Sequence, residues 1–501
     1  MILMYEFFLS TKELKKIAIF RYILFSKNGA SLSDIFKEFN LNKSTGFRYV
    51  NELKLDVEKY FSENVFMSDD GNKLTIINKG VKSSGLVFDI LRSKYVNDSG
   101  AFLVLQTVLK RDFPSIENLS QYLNVSPSTT YKYITQLQKL FHLFDCSVSF
   151  NVPGSVKGNE LGIRILIYQT YWGIFKTIYE IPFKKIPEKF TEISNVKSNL
   201  ISIENLSRSQ RIKLTIIHGI CTYRLSYRHQ NLDVSDDFLE DIKYFSEKDF
   251  LLEIDGLNIS SEVVAKESKV FAYLVRSSIY NIDTFKKRKE IVELYKKSNL
   301  EIANKVELLL KAFSKKFNIA YSSDYYIESY YVVLCYFIYF IHVPINYSEL
   351  YENQLIVDKR VYNMQPEIDE TLEQFRDFFA EFVKQEELPI NDKAIDEFVY
   401  ILYSIYDYHV DMNTVKIYIQ NRTIYSGLTV KRMIEETFNS NLVTVVDNID
   451  ESDIVISSTN EGDEIPNNYF YFKTVLETSE WENLFAYISK YIFEKNFYKA
   501  L

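Results

Sequence analysis

Turn-forming residues are scarce in this chain, with 14 glycines and 9 prolines among 501 residues, less than half of ordinary usage. Such a shortage of breakers leaves little room for a turn-rich β architecture and lets long helices run. The length exceeds what one core can organise, so the expectation is a mainly α, multidomain protein. Cysteine is equally rare. Cys146, Cys221 and Cys335 lie far apart without metal-ligand or redox spacing, which excludes a disulfide framework and suits a reducing compartment. The five histidines (His142, His218, His229, His342 and His409) form no H-x-x-x-H pair and none neighbours a cysteine, so neither a metal centre nor a cofactor is expected. Long apolar runs are missing as well: the longest, Tyr330 to Ile341, suits a buried helix and is too short for a bilayer. The start, MILMYEFFLSTKELKK, carries Glu6 and no basic n-region, so it does not read as a signal peptide. The expected location is the cytoplasm, with no membrane partner.

An overall basic excess is also lacking, since the formal net charge is −8. Its distribution is uneven. Residues 1–160 hold 20 Lys+Arg against 16 Asp+Glu, a net of +4, and the remainder carries −12. The N-terminal third can approach phosphate while the rest discourages nonspecific contact with nucleic acid.

What is present is an internal match at an offset of 84 residues. Residues 31–53 read SLSDIFKEFNLNKSTGFRYVNEL and residues 115–137 read SIENLSQYLNVSPSTTYKYITQL. Without gaps they share Ser31/Ser115, Asn40/Asn124, Ser44/Ser128, Thr45/Thr129, Tyr49/Tyr133 and Leu53/Leu137. Each copy spells a short amphipathic helix, an Asn corner plugged by Leu41 or Val125, and a second helix capped by Asn42 or by Ser126 with Pro127 behind it. The second helix is expected to bury Phe47, Val50 and Leu53 in copy one, and Tyr131, Ile134 and Leu137 in copy two. Its outward face then carries Lys43, Ser44, Thr45, Arg48 and Tyr49, or Ser128, Thr129, Lys132 and Tyr133. That composition suits a recognition helix in the major groove of double-stranded DNA. Hydroxyls and free N–H groups of the first turn face phosphate, and Arg48 and Lys132 can reach guanine O6 and N7 or a phosphate. Helices over 10–26 and 98–111 supply the third helix of each unit. VFMSDDGNKLTIINKG, turning at Asp70-Gly71, and DCSVSFNVPGSVKGNELGIRI read as β-wings, with Lys73, Lys79 and Lys157 at or beside their turns.

From about 165 to 410 the chain reads as helix after helix, including 211–229, 324–342 and 371–385. The first two superpose at an offset of 113, placing His229 over His342 and Tyr223 over Tyr336, and suggesting two related bundles. Beyond 411 the texture changes to strand, helix, two strands, a further strand near 468–476 and a closing helix over 481–497. This is a small α/β sandwich with a largely parallel sheet, whose first strand-to-helix turn holds Arg422 and Ser426 but no glycine cradle.

In this order, the two helix-turn-helix segments, two bundles and α/β tail resemble the Mga/AtxA family of PRD-containing virulence regulators. The resemblance implies five parts: winged helix-turn-helix domains at 1–95 and 96–164, PRD-like helical bundles at 165–285 and 286–410, and an EIIB-like α/β domain at 411–501. It implies activation of transcription and self-association, as a homodimer, through the tail. It also implies control by histidine phosphorylation from a phosphocarrier protein of the sugar phosphotransferase system, with His218, His229 and His342 as candidates. The PRD pattern of His followed six residues later by Arg fits His218 and Arg224; in the second bundle Tyr331 and Phe337 stand there. A working EIIB needs a cysteine after its first strand, and none follows Cys335, so the tail reads as a binding module and the chain as a regulator without catalysis. The alternatives are a phosphotransferase component, which the missing cysteine opposes, and an RNA-binding antiterminator with paired PRD domains, which the helical N-terminus opposes.

Overall fold

The computed structural model describes residues 4–26, 29–61, 64–71, 73–80, 83–110, 112–150, 156–175, 196–198, 206–228, 234–245, 250–252, 259–279, 281–343, 345, 366–407, 414–420, 424–458 and 468–497. The chain divides into two compact units, residues 1–361 with 378–401 and residues 362–377 with 402–501. The fold is mainly helical with a small parallel sheet towards the C-terminus. Among the described residues no helix is long and apolar enough to cross a membrane.

The first unit opens with helix α1 (Thr11–Phe25), started by a capping box in which Ser10 accepts the Glu13 N–H and Glu13 accepts the Ser10 N–H. Helices α2 (Leu32–Glu38) and α3 (Lys43–Phe61) follow, then an antiparallel hairpin of β1 (Val65–Asp69) and β2 (Leu74–Asn78). Buried Lys16 of α1 pairs with Asp56 of α3, and Lys12 pairs with Glu52 at 2.7 Å. Asp56 also accepts the hydroxyl of Tyr95 from α4 (Ser84–Asp98). Helix α4 is absent from the elements expected from sequence. Its buried set includes Arg92 and Ser93 beside Val87, Leu91 and Val96, which blurs the apolar period that would reveal it.

Helices α5 (Gly100–Lys110), α6 (Ile116–Leu123) and α7 (Pro127–Leu143) and the hairpin β3 (Cys146–Val148)/β4 (Val156–Gly158) repeat the pattern of α1 to β2. Helix α8 (Glu160–Ile174) then leads into a helical region. It comprises β5 (Val196–Ser198), α9 (Arg208–Arg228), α10 (Asp236–Asp241), β6 (Phe250–Leu252), α11 (Ser261–Ser278), α12 (Phe285–Lys296), α13 (Glu301–Phe317) and α14 (Ser323–His342). The expected helices at 211–229 and 324–342 fall on α9 and α14.

Two buried ionic clusters hold this region. Arg164 of α8 forks onto Glu267 of α11 at 2.5 and 3.0 Å, and its Nε donates to Glu160 at 3.0 Å. Arg224 of α9 forks onto the same Glu160 at 2.9 and 2.6 Å. Two cations and two anions cancel, so burial leaves no uncompensated charge. In the second cluster Arg276 donates to Asp283 at 2.8 Å, and the Tyr331 hydroxyl donates to the same carboxylate at 2.7 Å.

Helices α15 (Pro366–Gln385) and α16 (Asp392–Asp407) contribute to both units. In the second unit β7 (Val415–Gln420), α17 (Ile424–Thr437), β8 (Val443–Val446), β9 (Ile454–Ser457), β10 (Tyr469–Tyr471) and α18 (Thr478–Phe497) form a four-stranded sheet in the order β10-β9-β7-β8. All its pairings are parallel, as expected. Val415, Ile417, Ile454 and Ile456 pack with Val430 and Ile434 of α17 and Leu484 and Ile488 of α18. Arg422 lies outside the described residues.

Candidate nucleic-acid interface

The two corners are built alike. Asn40 and Asn124 both hold positive φ, 47° and 56°, a left-handed conformation that asparagine tolerates better than most side chains. In each, the next residue donates its N–H back five positions, Leu41 to Phe36 at 2.8 Å and Val125 to Ser120 at 3.1 Å, closing a Schellman turn. The second helix then starts on a side-chain cap. Asn42 Oδ1 accepts the Thr45 N–H at 2.8 Å, and Ser126 Oγ accepts the Thr129 N–H at 3.1 Å.

Facing positions of the two corners use different chemistry. In copy one the Phe36 ring lies over Gly46, where an added Cβ would meet the ring at 2.2 Å. In copy two the equivalent pair is Ser120 and Thr130, joined by a 2.8 Å hydrogen bond. A large residue against a small one becomes two mid-sized polar residues, with the crossing preserved.

This pairing overturns one expectation. Gly46, Val50, Leu53, Val57 and Phe61 form the inner stripe of α3, and Thr130, Ile134, Leu137 and Phe141 form that of α7. Phe47 is 47 % exposed and Tyr131 61 % exposed, so neither belongs to the core; each sits one residue, or about 100°, beyond the buried line. Val125, expected to plug its corner, is also exposed. The signal was present in the sequence: counted from Gly46 or Thr130 the apolar period fits better than from the aromatic residue that follows.

The outward stripe therefore runs Ser44, Phe47, Arg48, Asn51 on α3 and Ser128, Tyr131, Lys132, Thr135 on α7, all exposed and repeating at the offset of 84. Lys43 is exposed too, whereas Thr45, Tyr49, Thr129 and Tyr133 flank the stripe half-buried. The Arg48 guanidinium rests 5.5 Å from the Tyr49 ring centroid. Tyr133 folds back on α5, its ring so close to Gly100 that an added Cβ there would lie 2.2 Å from Cζ. None of Lys43, Arg48 and Lys132 forms an ion pair with a described residue, which leaves three cations at two helix starts open to an external anion. Lys73 and Lys79 are exposed on the first hairpin and Lys157 is half-buried on the second.

Of the candidate regulatory histidines, His218 is 2 % exposed in α9, edge-on to Phe271 at 5.9 Å. Its would-be partner Arg224 turns instead to Glu160. His342, at the end of α14, reaches Asp241 Oδ2 at 2.7 Å beside the Phe238 ring, with 11 % of its side chain exposed. His229 and His409 lie outside the described residues. The three thiols are buried, and burial pushes each up to about 12, so at neutral pH they stay protonated and poorly nucleophilic.

Residues 86–171, from α4 through the second corner and hairpin into α8, match the model of the Mga helix-turn-helix domain. The chain resembles the Mga-like regulators through this domain, a type that belongs to DNA-binding transcription regulators. A comparison with curated proteins finds no match. Copy one lies ahead of the matched segment and is tied to it by the internal repeat.

Proposed function

We propose that the chain is a DNA-binding transcription regulator, an activator of the Mga type, whose helices α3 and α7 enter successive stretches of major groove. The carrying observation is the duplicated outward stripe, with an unpaired cation one turn inside each capped helix start. Arg48 and Lys132 are the residues assigned to base edges or phosphates. Lys43, Ser44, Thr45, Ser128 and Thr129 hold the backbone, and Tyr49 and Tyr133 brace the helices from the flank.

The five-part layout inferred from sequence fits this reading, with the tail joining two copies. Leu428, Tyr471 and Leu476 are exposed apolar side chains on that unit, a surface that a second copy would cover. Regulation by a phosphocarrier protein is best supported at His342. A phosphoryl group there would face Asp241 and repel it, loosening α14 from α10, whereas transfer to His218 requires α9 to open first.

Anisotropy titration of labelled promoter fragments at several salt concentrations tests the main reading. Affinity should fall steeply with salt, and Arg48→Ala and Lys132→Ala should each weaken binding by about 1–3 kcal/mol. Wild-type affinity in both variants would remove the assignment. For regulation, labelling by a phosphorylated carrier protein should be lost in His342→Ala; retention of label there would exclude that site.

A further inference from the structure

A cavity of about 350 Å³ lies within the helical part of the first unit, walled by α8, α9, the end of α11, α14 and α16. Its walls are dominated by rings. Trp172 and Tyr168 come from α8, and Tyr336 and Phe340 from α14, the last two stacked with centroids 6.3 Å apart and planes 28° from parallel. One cation enters. Lys213 Nζ lies 4.7 Å from the centre of the Trp172 ring and donates to the Ser278 carbonyl at 3.2 Å. It forms no ion pair with any described residue, although burial already pulls its pKa down. A half-desolvated ammonium held only by a carbonyl and a ring face is short of its usual counter-ion. The volume is that of a small-molecule site, and concave aromatic walls with few polar groups are the usual make-up of one.

We propose that this cavity binds a small aromatic carboxylate, its ring against Trp172 and the Tyr336–Phe340 stack and its carboxylate on Lys213. Two sources share that chemistry, a simple aryl acid and an aromatic amino acid. Glu397, also on the wall, is the acid that an amino-acid ammonium would meet. A ligand seated there touches α8, which follows directly on the second hairpin, together with α14, so occupancy can bias how those helices pack. The proposal stands apart from the DNA-binding reading, because its test contains no DNA.

The chain has two tryptophans, so Trp481→Phe leaves Trp172 as the sole reporter in the full-length protein. Phenylacetate, L-phenylalanine, phenylacetamide and glucose are titrated in turn, following Trp172 emission and the heat of binding. A saturable response to phenylacetate or L-phenylalanine is expected. Binding should be weaker by about tenfold for phenylacetamide, and weaker by about tenfold for phenylacetate in Lys213→Met. Tighter binding of L-phenylalanine, with the preference lost in Glu397→Gln, assigns an amino acid; tighter phenylacetate assigns an aryl acid. Equal affinity for phenylacetamide, unchanged binding in Lys213→Met, binding of glucose alone, or no saturable response to any probe overturns the proposal. The phenylacetamide comparison uses unaltered Lys213, so it decides the matter even if Lys213→Met fails to fold.

Discussion

The two helix–corner–helix copies share a backbone recipe and differ in almost everything packed behind it. Both corners turn on a left-handed asparagine, and both second helices begin on an Asn or Ser cap. The crossing contact is Phe36 on Gly46 in one and Ser120 bonded to Thr130 in the other. Copy one is followed by exposed Lys79 and Gly80 at the end of its hairpin, whereas copy two runs through Asn159 into the buried Glu160. What persists is the geometry that presents Ser44/Ser128 and Arg48/Lys132; the means of holding it is free to change.

The anchoring difference can be broken at Glu160, with the largest expected effect. Glu160→Gln leaves Arg224 without its carboxylate and Arg164 with only Glu267. Stability should drop by about 3–5 kcal/mol, the usual consequence of stripping one partner from a buried ion pair. Urea denaturation followed by far-UV circular dichroism checks this. A loss well under 1 kcal/mol would show that the cluster is hydrated and the anchor weak.

The corner difference is sharpened by exchange. Gly46→Thr alone forces a side chain into the Phe36 ring and should cost about 1–3 kcal/mol through overpacking. Adding Phe36→Ser recreates the pair found in copy two and should restore most of the loss, a coupling that a double-mutant cycle measures directly. If the double variant is as unstable as the sum of the two single ones, the equivalence of the two corners is wrong.

The repeat, the corners, the caps and the parallel tail sheet were legible in sequence, because each rests on local chemistry. An asparagine for positive φ, a serine or asparagine at a helix start, and alternating apolar residues in a strand carry their reason with them. Helix α4 was not legible, because Arg92 and Ser93 occupy inward positions and are satisfied there by the Ile174 carbonyl, over 80 residues away. Arg224 was paired in sequence with His218 by spacing, yet its partner Glu160 lies 64 residues upstream. Long-range polar partners leave no periodic trace. The outward stripe was misplaced by one residue in each copy for a related reason, since an aromatic side chain outweighs glycine or threonine in any apolar count.

The lead-in to copy one has no counterpart ahead of copy two. Glu6, in the short turn before α1, is partly buried, and desolvation pushes its carboxyl up to about 7 from 4.5. The folded state therefore holds a proton that the unfolded state releases between those values, so stability falls as pH rises from about 4.5 through 7. The loss should amount to about 2 kcal/mol once solvent screening of the carboxyl is allowed for, and Glu6→Gln should remove it. Denaturation midpoints of wild type and variant at pH 5 and pH 8 decide; parallel behaviour would mean that the carboxyl is as solvated folded as unfolded.

The smallest expected effect on stability is the most telling about the interface. Were Tyr131 part of the α7 core, Tyr131→Ala would cost about 3–5 kcal/mol, as large-to-small core changes do. It stands instead on the outward stripe beside Lys132, while Thr130 fills the inner position by bonding Ser120. Tyr131→Ala should therefore shift the urea midpoint by no more than about 0.5 kcal/mol. Its consequence should appear in DNA affinity, where a phenol projecting one turn inside the helix start can reach a phosphate or an exposed base edge. Thr130→Ala is the mirror image, leaving the stripe intact while removing a buried hydrogen bond, so stability falls by about 1 kcal/mol and the salt dependence of binding stays the same. Adjacent residues on one helix thus separate the two duties of the motif, and an exchange of their phenotypes would place the recognition face on the wrong side of α7.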